Sequence, residues 1–441
     1  MRTLSQLLYP ALRTPSTRRR RMSFAVLLLG LLPGALAGQG IHLGVGTCAN
    51  STCHGAKTSL PGSVVEQNEF AVWSQYDKHS KSFAALTSER GQAIASHLGL
   101  GGADKAPQCL SCHADNPPAA LRGKGFSVKD GVSCEACHGG ASDWLGVHAS
   151  GVNTHAENVA AGMYPTDDPT ARAKLCLGCH LFQDEGPSQH RYYAAGHPRL
   201  RFELDTYTEE RPGHHRIDAD YRRRKPGSYG SRAWLLGQTA AARKIVEQLL
   251  ETSEGALWPD YTVFACFGCH RKFGDGQANT AGLPPLQDAP IQLTALALST
   301  LDSASGKPLA EALAELDKAF AAPGAKGWRP AATRLATKLA AIEKELRARG
   351  ERPEDARLLY QGLLTRAVAG EFPRHHMAEQ VTYALATLRL ADPALAGTAD
   401  VASNKALDAL FAAAGMTSGF EAGRWREAAQ GLAVVLPAAA P

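Results

Sequence analysis

The sequence predicts a mainly α-helical protein in which a loop-rich segment packs with a C-terminal bundle of helices. From about Gly40 to about Gly276 the chain is rich in glycine, proline, cysteine and histidine and poor in long periodic stretches. From about Leu283 onward it is rich in alanine and leucine, contains no cysteine and shows a helical period. The expected domains are therefore residues 38–280 and 281–441, preceded by a leader at 1–37.

The C-terminal segment carries apolar residues at the spacing of one helix face. Two stretches have them at i, i+4, i+7 and i+11, and a third begins in the same way. The positions are Leu309, Leu313, Leu316 and Phe320; Leu335, Leu339, Ile342 and Leu346; and Val381, Leu385 and Leu388. Gly350, Pro353, Pro373 and Pro393 separate such stretches. We expect a bundle of about five or six helices, with these stripes in its core.

All ten cysteines lie in five short segments that end in Cys-His, here called motifs 1 to 5 in chain order. They are Cys48-Ala-Asn-Ser-Thr-Cys53-His54, Cys109-Leu-Ser-Cys112-His113, Cys134-Glu-Ala-Cys137-His138, Cys176-Leu-Gly-Cys179-His180 and Cys266-Phe-Gly-Cys269-His270. At this spacing two thiols can form thioethers with the two vinyl groups of a porphyrin. The next residue, a histidine, can then bind the iron as its proximal ligand.

Zinc and disulfides explain this pattern less well than haem does. A zinc site would need two motifs to share one metal, and five motifs do not divide into pairs. A disulfide framework gives no reason for a histidine after every cysteine pair. The pattern therefore predicts five covalently attached haem c groups, including one at the stretched motif 1.

The N-terminus has the features of an export signal, which covalent haem attachment outside the cytoplasm requires. Four arginines at 18–21 precede an apolar run at 24–32, and a small-x-small cleavage site follows at 35–37. The run is short for a membrane span, and no other segment is apolar enough to cross a membrane. We expect a cleaved signal peptide at 1–37 and a mature protein in the periplasm.

The same leader accounts for the basic net charge of the chain. Residues 1–37 hold six arginines and no acidic residue, so their removal takes the formal charge from +5 to −1. Haem propionates would make the holoprotein more acidic. The charge therefore gives no indication of a nucleic-acid partner.

Histidines outside the motifs are numerous enough to supply the second axial ligand of every haem iron. Met163 is the only methionine in the loop-rich segment, and methionine ligation would raise the haem potential. We therefore expect mostly bis-His haems of low potential. Nine such histidines lie in this segment: His42, His79, His97, His148, His155, His190, His197, His214 and His215. His375 and His376 lie at a helix start far from any motif and are expected to be solvated.

Two stretches resemble the family of tetrahaem cytochromes that accept electrons from hydroxylamine oxidoreductase, the cytochrome c-554 type. One is the run at 131–140, with His148 ten residues beyond His138, and the other is the run at 73–79. Motifs 1 to 4 follow the order of that family over about a third of the chain. The resemblance implies haems in closely packed, partly stacked pairs. The stretched motif 1, motif 5 and the C-terminal helices depart from it, so partner identity does not carry over.

The resemblance also implies roles for individual histidines. His79 and His148 match distal ligands to haems later in the order. The first haem would take its distal ligand from after motif 4, where this chain has His190 and His197. The second haem, that of motif 2, would be five-coordinate unless His97 closes the position.

Two functions fit these features. The first is electron transfer, as a shuttle or as a subunit of a membrane-associated complex, between partners such as a quinol oxidase and a periplasmic reductase. The alternative is a multihaem oxidoreductase acting on a small nitrogen or sulfur compound at an open iron of motif 2. Its pocket would use Arg191, Tyr192, Tyr193 and Arg199, although such side chains equally pair with haem propionates. Two observations favour the electron carrier. Histidines are numerous enough to fill the second axial positions, and every motif ends in histidine, whereas some nitrite reductases have lysine in the motif of their active iron.

Overall fold

Helices form all the regular structure in the described part of the chain, which confirms the predicted mainly α fold. A computed structural model describes residues 40–59, 65–181, 189–210, 213–215, 217–251, 261–270, 284–322, 327–397, 400–415 and 419–436. Strand-like pairing within these ranges is limited to two isolated bridges, His42 with Arg122 and Phe264 with Leu286. The predicted signal peptide at 1–37 and the predicted domain boundary at 280–281 lie outside the described residues.

The first twelve helices are short and lie in the cysteine-rich segment. They are α1 (Val45–Cys48), α2 (Glu69–Tyr76), α3 (Ser82–Thr87), α4 (Glu89–His97), α5 (Pro107–His113), α6 (Cys134–His138), α7 (Leu145–Ala149), α8 (His155–Ala160), α9 (Pro169–His180), α10 (Gln189–Ala194), α11 (Leu204–Glu210) and α12 (Ala219–Arg224). Short 3₁₀ helices lie at Lys78–Lys81, Ala119–Leu121, Val128–Asp130, Tyr261–Val263 and Cys266–Gly268. Motifs 2, 3 and 4 thus lie within α5, α6 and α9, motif 5 begins with the last 3₁₀ helix, and motif 1 begins at the last residue of α1 and continues beyond it.

Helix α9 shows how the sequence starts one of these elements. The Asp168 side chain accepts hydrogen bonds from the backbone N–H groups of Thr170 and Ala171, at 2.8 and 3.1 Å. Pro169 follows at the first helical position, where its missing N–H costs nothing. The helix then runs to His180, so motif 4 sits at its C-terminal end.

The described part of the cysteine-rich segment also contains a long helix, α13 (Ser231–Leu250), although its sequence shows no long periodic stretch. Trp234, Ile245 and Leu249 are fully or almost fully buried on it. Helix α13 packs against α9, which carries motif 4, and also against the helices that follow. It therefore joins the cysteine-rich segment to the C-terminal core.

The C-terminal segment forms more helices than the five or six expected. The described residues contain α14 (Ala289–Thr300), α15 (Gly306–Ala321), α16 (Trp328–Ala348), α17 (Asp355–Ala369), α18 (His375–Ala391), α19 (Pro393–Ala396), α20 (Val401–Ala414) and α21 (Ala422–Val435). All eleven residues of the predicted apolar stripes are buried, at 0–6% exposure. The stripes therefore form the core of the bundle, as predicted. No helix among the described residues is both long enough and apolar enough to span a membrane.

Candidate haem sites

Each of the five motif histidines has a second histidine ring opposite it. Two imidazoles bound to opposite sides of one metal through bonds of about 2 Å place their ring centroids roughly 6 Å apart. The observed centroid separations are 5.9 Å for His54 and His148, 6.2 Å for His113 and His197, 6.4 Å for His138 and His214, 6.1 Å for His180 and His79, and 6.2 Å for His270 and His190. The side chains at all five motifs thus fit a six-coordinate haem iron with two histidine ligands.

Hydrogen bonds orient four of these ten rings through Nδ1. A ring that donates from Nδ1 leaves the Nε2 lone pair for a metal, and such outer partners fix the ring plane. The acceptors are Glu69 Oε2 for His54 at 2.9 Å, Asp77 Oδ1 for His79 at 2.9 Å, the Ser82 carbonyl for His113 at 3.0 Å and the Pro198 carbonyl for His197 at 2.7 Å.

The histidines outside the five pairs are engaged differently. Four of them bond through Nε2, the nitrogen that the paired rings keep available: His155 to Asp167 at 2.8 Å, His215 to the Tyr229 hydroxyl at 2.9 Å, His375 to the Ala414 carbonyl at 2.9 Å and His376 to Asp288 at 2.7 Å. His42 and His97 bond through Nδ1, to Asp115 at 2.9 Å and to the Ala195 carbonyl at 3.2 Å. Among the described residues, neither faces a motif histidine.

The local environment keeps several paired rings neutral, as a metal ligand must be. Burial lowers the pKa of His180 to about 4. Burial also lowers the pKa of His148 and of His197. At His54 the hydrogen bond with Glu69 raises the pKa instead, which is the effect expected of a carboxylate that makes a ligand ring more basic.

Contacts between cysteines show which motifs are neighbours. The Cys48 thiol of motif 1 is hydrogen-bonded to the Cys134 thiol of motif 3. The hydrogen bond with Cys112 of motif 2 is the main cause of a raised pKa at Cys179 of motif 4, and the charge of Cys137 in motif 3 contributes. Motifs 1, 3, 4 and 2 therefore follow one another in space.

Helix α10 connects motif 5 to motif 2. It carries His190, which faces His270 of motif 5. It also carries Tyr192, whose ring centroid lies 6.4 Å from that of His197, the partner of His113. Burial raises the pKa of Tyr192 to about 12, and the motif 2 cysteines add to the shift. The spatial order of the motifs is thus 1, 3, 4, 2, 5.

The distal histidines are distributed differently from what the family resemblance implies. His148 faces motif 1 rather than a later motif, whereas His190 and His197 face motifs 5 and 2. His197 occupies the position opposite His113 that was expected to be open or closed by His97. His214 faces His138. His214 is one of the nine histidines of this segment, and the sequence alone assigns it no individual role.

The expectation that His375 and His376 are solvated is wrong. They are 5% and 6% exposed, because α18 begins inside the bundle rather than at its surface. The His375 ring centroid lies 4.7 Å from that of Phe267, which stands between the two cysteines of motif 5, and 5.3 Å from that of Phe420. Burial accordingly lowers the pKa of His375. The C-terminal bundle therefore contacts motif 5 directly.

Comparison with known families gives one match. The family model described as cytochrome c554 and c-prime matches residues 47–139, about a fifth of the chain. The matched segment contains motifs 1, 2 and 3, including the stretched one. Comparisons with curated proteins and with solved structures gave no significant match. Residues 47–139 are therefore similar to the family of cytochrome c554 and c-prime, and this match supports covalently bound haem c, a role in electron transfer and redox protein partners in general.

Proposed function

We propose that the mature protein is a periplasmic electron carrier with five haem c groups, each held by two histidines and of low potential. The observation that carries this proposal is the presence of a second histidine ring 5.9–6.4 Å from every motif histidine. When bound, each haem supplies a one-electron iron couple. Methionine ligation raises haem potentials, but this segment contains a single methionine, Met163, for five irons.

The spatial order of the motifs supports a relay. Cys48 and Cys134 lie close enough for each to shift the pKa of the other, and Cys112 shifts that of Cys179, so each of these motifs has a near neighbour. Motif 1 and motif 5 stand at the two ends of the order, and the cysteines next to their histidines, Cys53 and Cys269, are exposed. Electrons would enter at one of these ends and leave at the other.

The compartment and the partners belong to the same proposal. The arginines, the apolar run and the cleavage site within residues 1–37 support export and cleavage. A carrier in the periplasm would pass electrons from a donor such as a membrane quinol oxidase to a periplasmic reductase. The alternative, catalysis on a small nitrogen or sulfur compound, needs an iron with an open position. All five motif histidines have an opposing ring, so no motif favours that alternative.

The haem number is tested by the mass of the mature protein. We expect the mass of the chain from residue 38 onward plus five haems. The double variant Cys266→Ala/Cys269→Ala should carry four, because both thioether bonds of motif 5 are lost. Four haems in the unaltered protein would contradict the proposal, and the corresponding double variants of motifs 1 and 5 would show which motif is empty.

The relative orientation of the two rings predicts two classes of low-spin haem. The ring planes are close to perpendicular at motifs 2, 3 and 4, with interplanar angles of 84°, 88° and 87°. They are closer to parallel at motifs 1 and 5, with 8° and 24°. Perpendicular imidazoles make the iron dxz and dyz orbitals nearly equal in energy, and the low-spin EPR signal is then strongly anisotropic. Parallel rings separate these two orbitals and give a rhombic signal. We expect the EPR spectrum of the oxidised protein to contain both classes in a ratio of three to two, and a spectrum of one class would contradict this assignment.

A further inference from the structure

We propose that the buried ion pair between Arg199 and Glu379 is a positioning pair that sets the reduction potential of the haem at motif 5. This inference rests on the proposed function, since it requires a haem at Cys266, Cys269 and His270. It assigns a role to the C-terminal bundle, which the match to residues 47–139 leaves unexplained.

The pair joins the bundle to the segment that carries two distal histidines. Glu379 lies on α18 and is 5% exposed. Its Oε1 accepts a hydrogen bond from Nη2 of Arg199 at 2.5 Å, and Nη1 of Arg201 lies 3.6 Å away. Arg199 follows His197 by two residues. The carboxylate is therefore a buried charge that two arginines neutralise, which is the condition under which a charge is tolerated in a protein interior.

Both members of the pair lie close enough to motif 5 for their charges to act on it. Glu379 binds Arg199 directly, so both charges lie beside the turn of α18 that contacts this motif. On α18, His375 precedes Glu379 by one helical turn and packs against Phe267 of motif 5. One face of this helix therefore presents an aromatic contact and a charged group to the same motif.

Opposite charges near a haem shift its potential in opposite directions. A carboxylate favours the ferric state, which carries one more positive charge on the iron, and so lowers the potential; a guanidinium favours the ferrous state and raises it. Because the site is buried, such interactions are weakly screened. Within the intact pair the two effects largely cancel. Removal of Glu379 leaves Arg199 uncompensated, and removal of Arg199 leaves Glu379 with only the more exposed and more distant Arg201.

The experiment is a redox titration of the purified holoprotein, followed by haem absorbance, for Glu379→Gln, Arg199→Gln and the double variant. We expect one of the five potentials to rise in Glu379→Gln and the same potential to fall in Arg199→Gln. In the double variant it should return close to the original value. The other four potentials should move little.

Asp355 offers a matched control. It is 3% exposed and is also held by two arginines, with Nη2 of Arg349 at 3.1 Å and Nε of Arg352 at 2.9 Å. Neither of these arginines belongs to a motif. Asp355→Asn should therefore leave all five potentials unchanged, although it removes a buried ion pair from the same bundle.

A merely structural role would give a different result. Both single variants would then shift the potential in the same direction, or not at all, and either outcome overturns the inference. If Arg199→Gln folds poorly, Glu379→Gln alone still tests the predicted rise of the potential. Arg199→Lys keeps the positive charge and should leave the potential unchanged. The mass of the unaltered protein separates this test from the proposed function: absence of the fifth haem refutes that function, whereas five haems with no opposed shifts refute only the role of the pair.

Discussion

Replacement of His197 by alanine should convert one low-spin haem, that of motif 2, into a high-spin haem. The His197 ring faces His113 at a centroid separation of 6.2 Å. Its Nδ1 donates to the Pro198 carbonyl, which leaves Nε2 for the iron. Alanine offers no donor atom, so the iron would lose its sixth ligand. The EPR and low-temperature absorption spectra of the oxidised protein would show a high-spin signal that the unaltered protein lacks.

His97→Ala is the matched control for this variant. His97 lies on α4, and its Nδ1 is 3.2 Å from the carbonyl of Ala195, two residues before His197. From the sequence, His97 is the histidine expected to close motif 2 if any does, whereas His197 is a candidate ligand of the first haem. We expect the His97→Ala spectrum to stay entirely low-spin. A high-spin haem in His97→Ala, together with an unchanged spectrum in His197→Ala, would assign the ligand to His97 and reverse the pairing.

The sequence predicted the helical fold because its signals are local. The stripe through Leu335, Leu339 and Ile342 repeats at the helical period, and a residue on such a stripe is buried whichever neighbour covers it. Helix α13 was missed because its apolar residues are interrupted by Gly237, Gln238 and Thr239, all of which are buried. A helix that is covered on most sides does not show a one-sided pattern.

The candidate site was predictable to the level of its residue types. The cysteines and the proximal histidines follow from spacing along the chain. The distal partners do not, since His54 and His148 are 94 positions apart and meet only through tertiary folding. The family resemblance pairs His148 with a later motif, whereas the structure places it opposite His54, and the resemblance gives no role to His214. The burial of His375 also depends on packing, because its neighbours Phe267 and Phe420 come from distant parts of the chain.

The Glu135 side chain should contribute strongly to the stability of the haem-binding segment. It lies between the two cysteines of motif 3 and is 2% exposed. Its Oε1 accepts hydrogen bonds from the backbone N–H groups of Leu43 at 2.7 Å and Ala141 at 2.8 Å, and its Oε2 accepts one from Gly44 at 2.7 Å. Leu43 and Gly44 lead directly into α1, so this carboxylate ties motif 1 to motif 3.

Glu135→Ala should therefore lower the free energy of unfolding by roughly 3 kcal/mol or more, at about 1 kcal/mol or more for each backbone donor left without an acceptor. Thermal unfolding followed by far-UV circular dichroism, at unchanged haem content, measures the effect. The stability of Glu135→Gln should lie between that of the unaltered protein and that of Glu135→Ala. Its amide keeps one acceptor oxygen but turns an NH₂ group toward a backbone N–H. Glu157→Gln, at the exposed capping box of α8, is the control and should change the unfolding temperature far less. An unchanged unfolding temperature in Glu135→Ala would mean that water replaces all three hydrogen bonds, and that the link between motifs 1 and 3 rests on the haems rather than on this side chain.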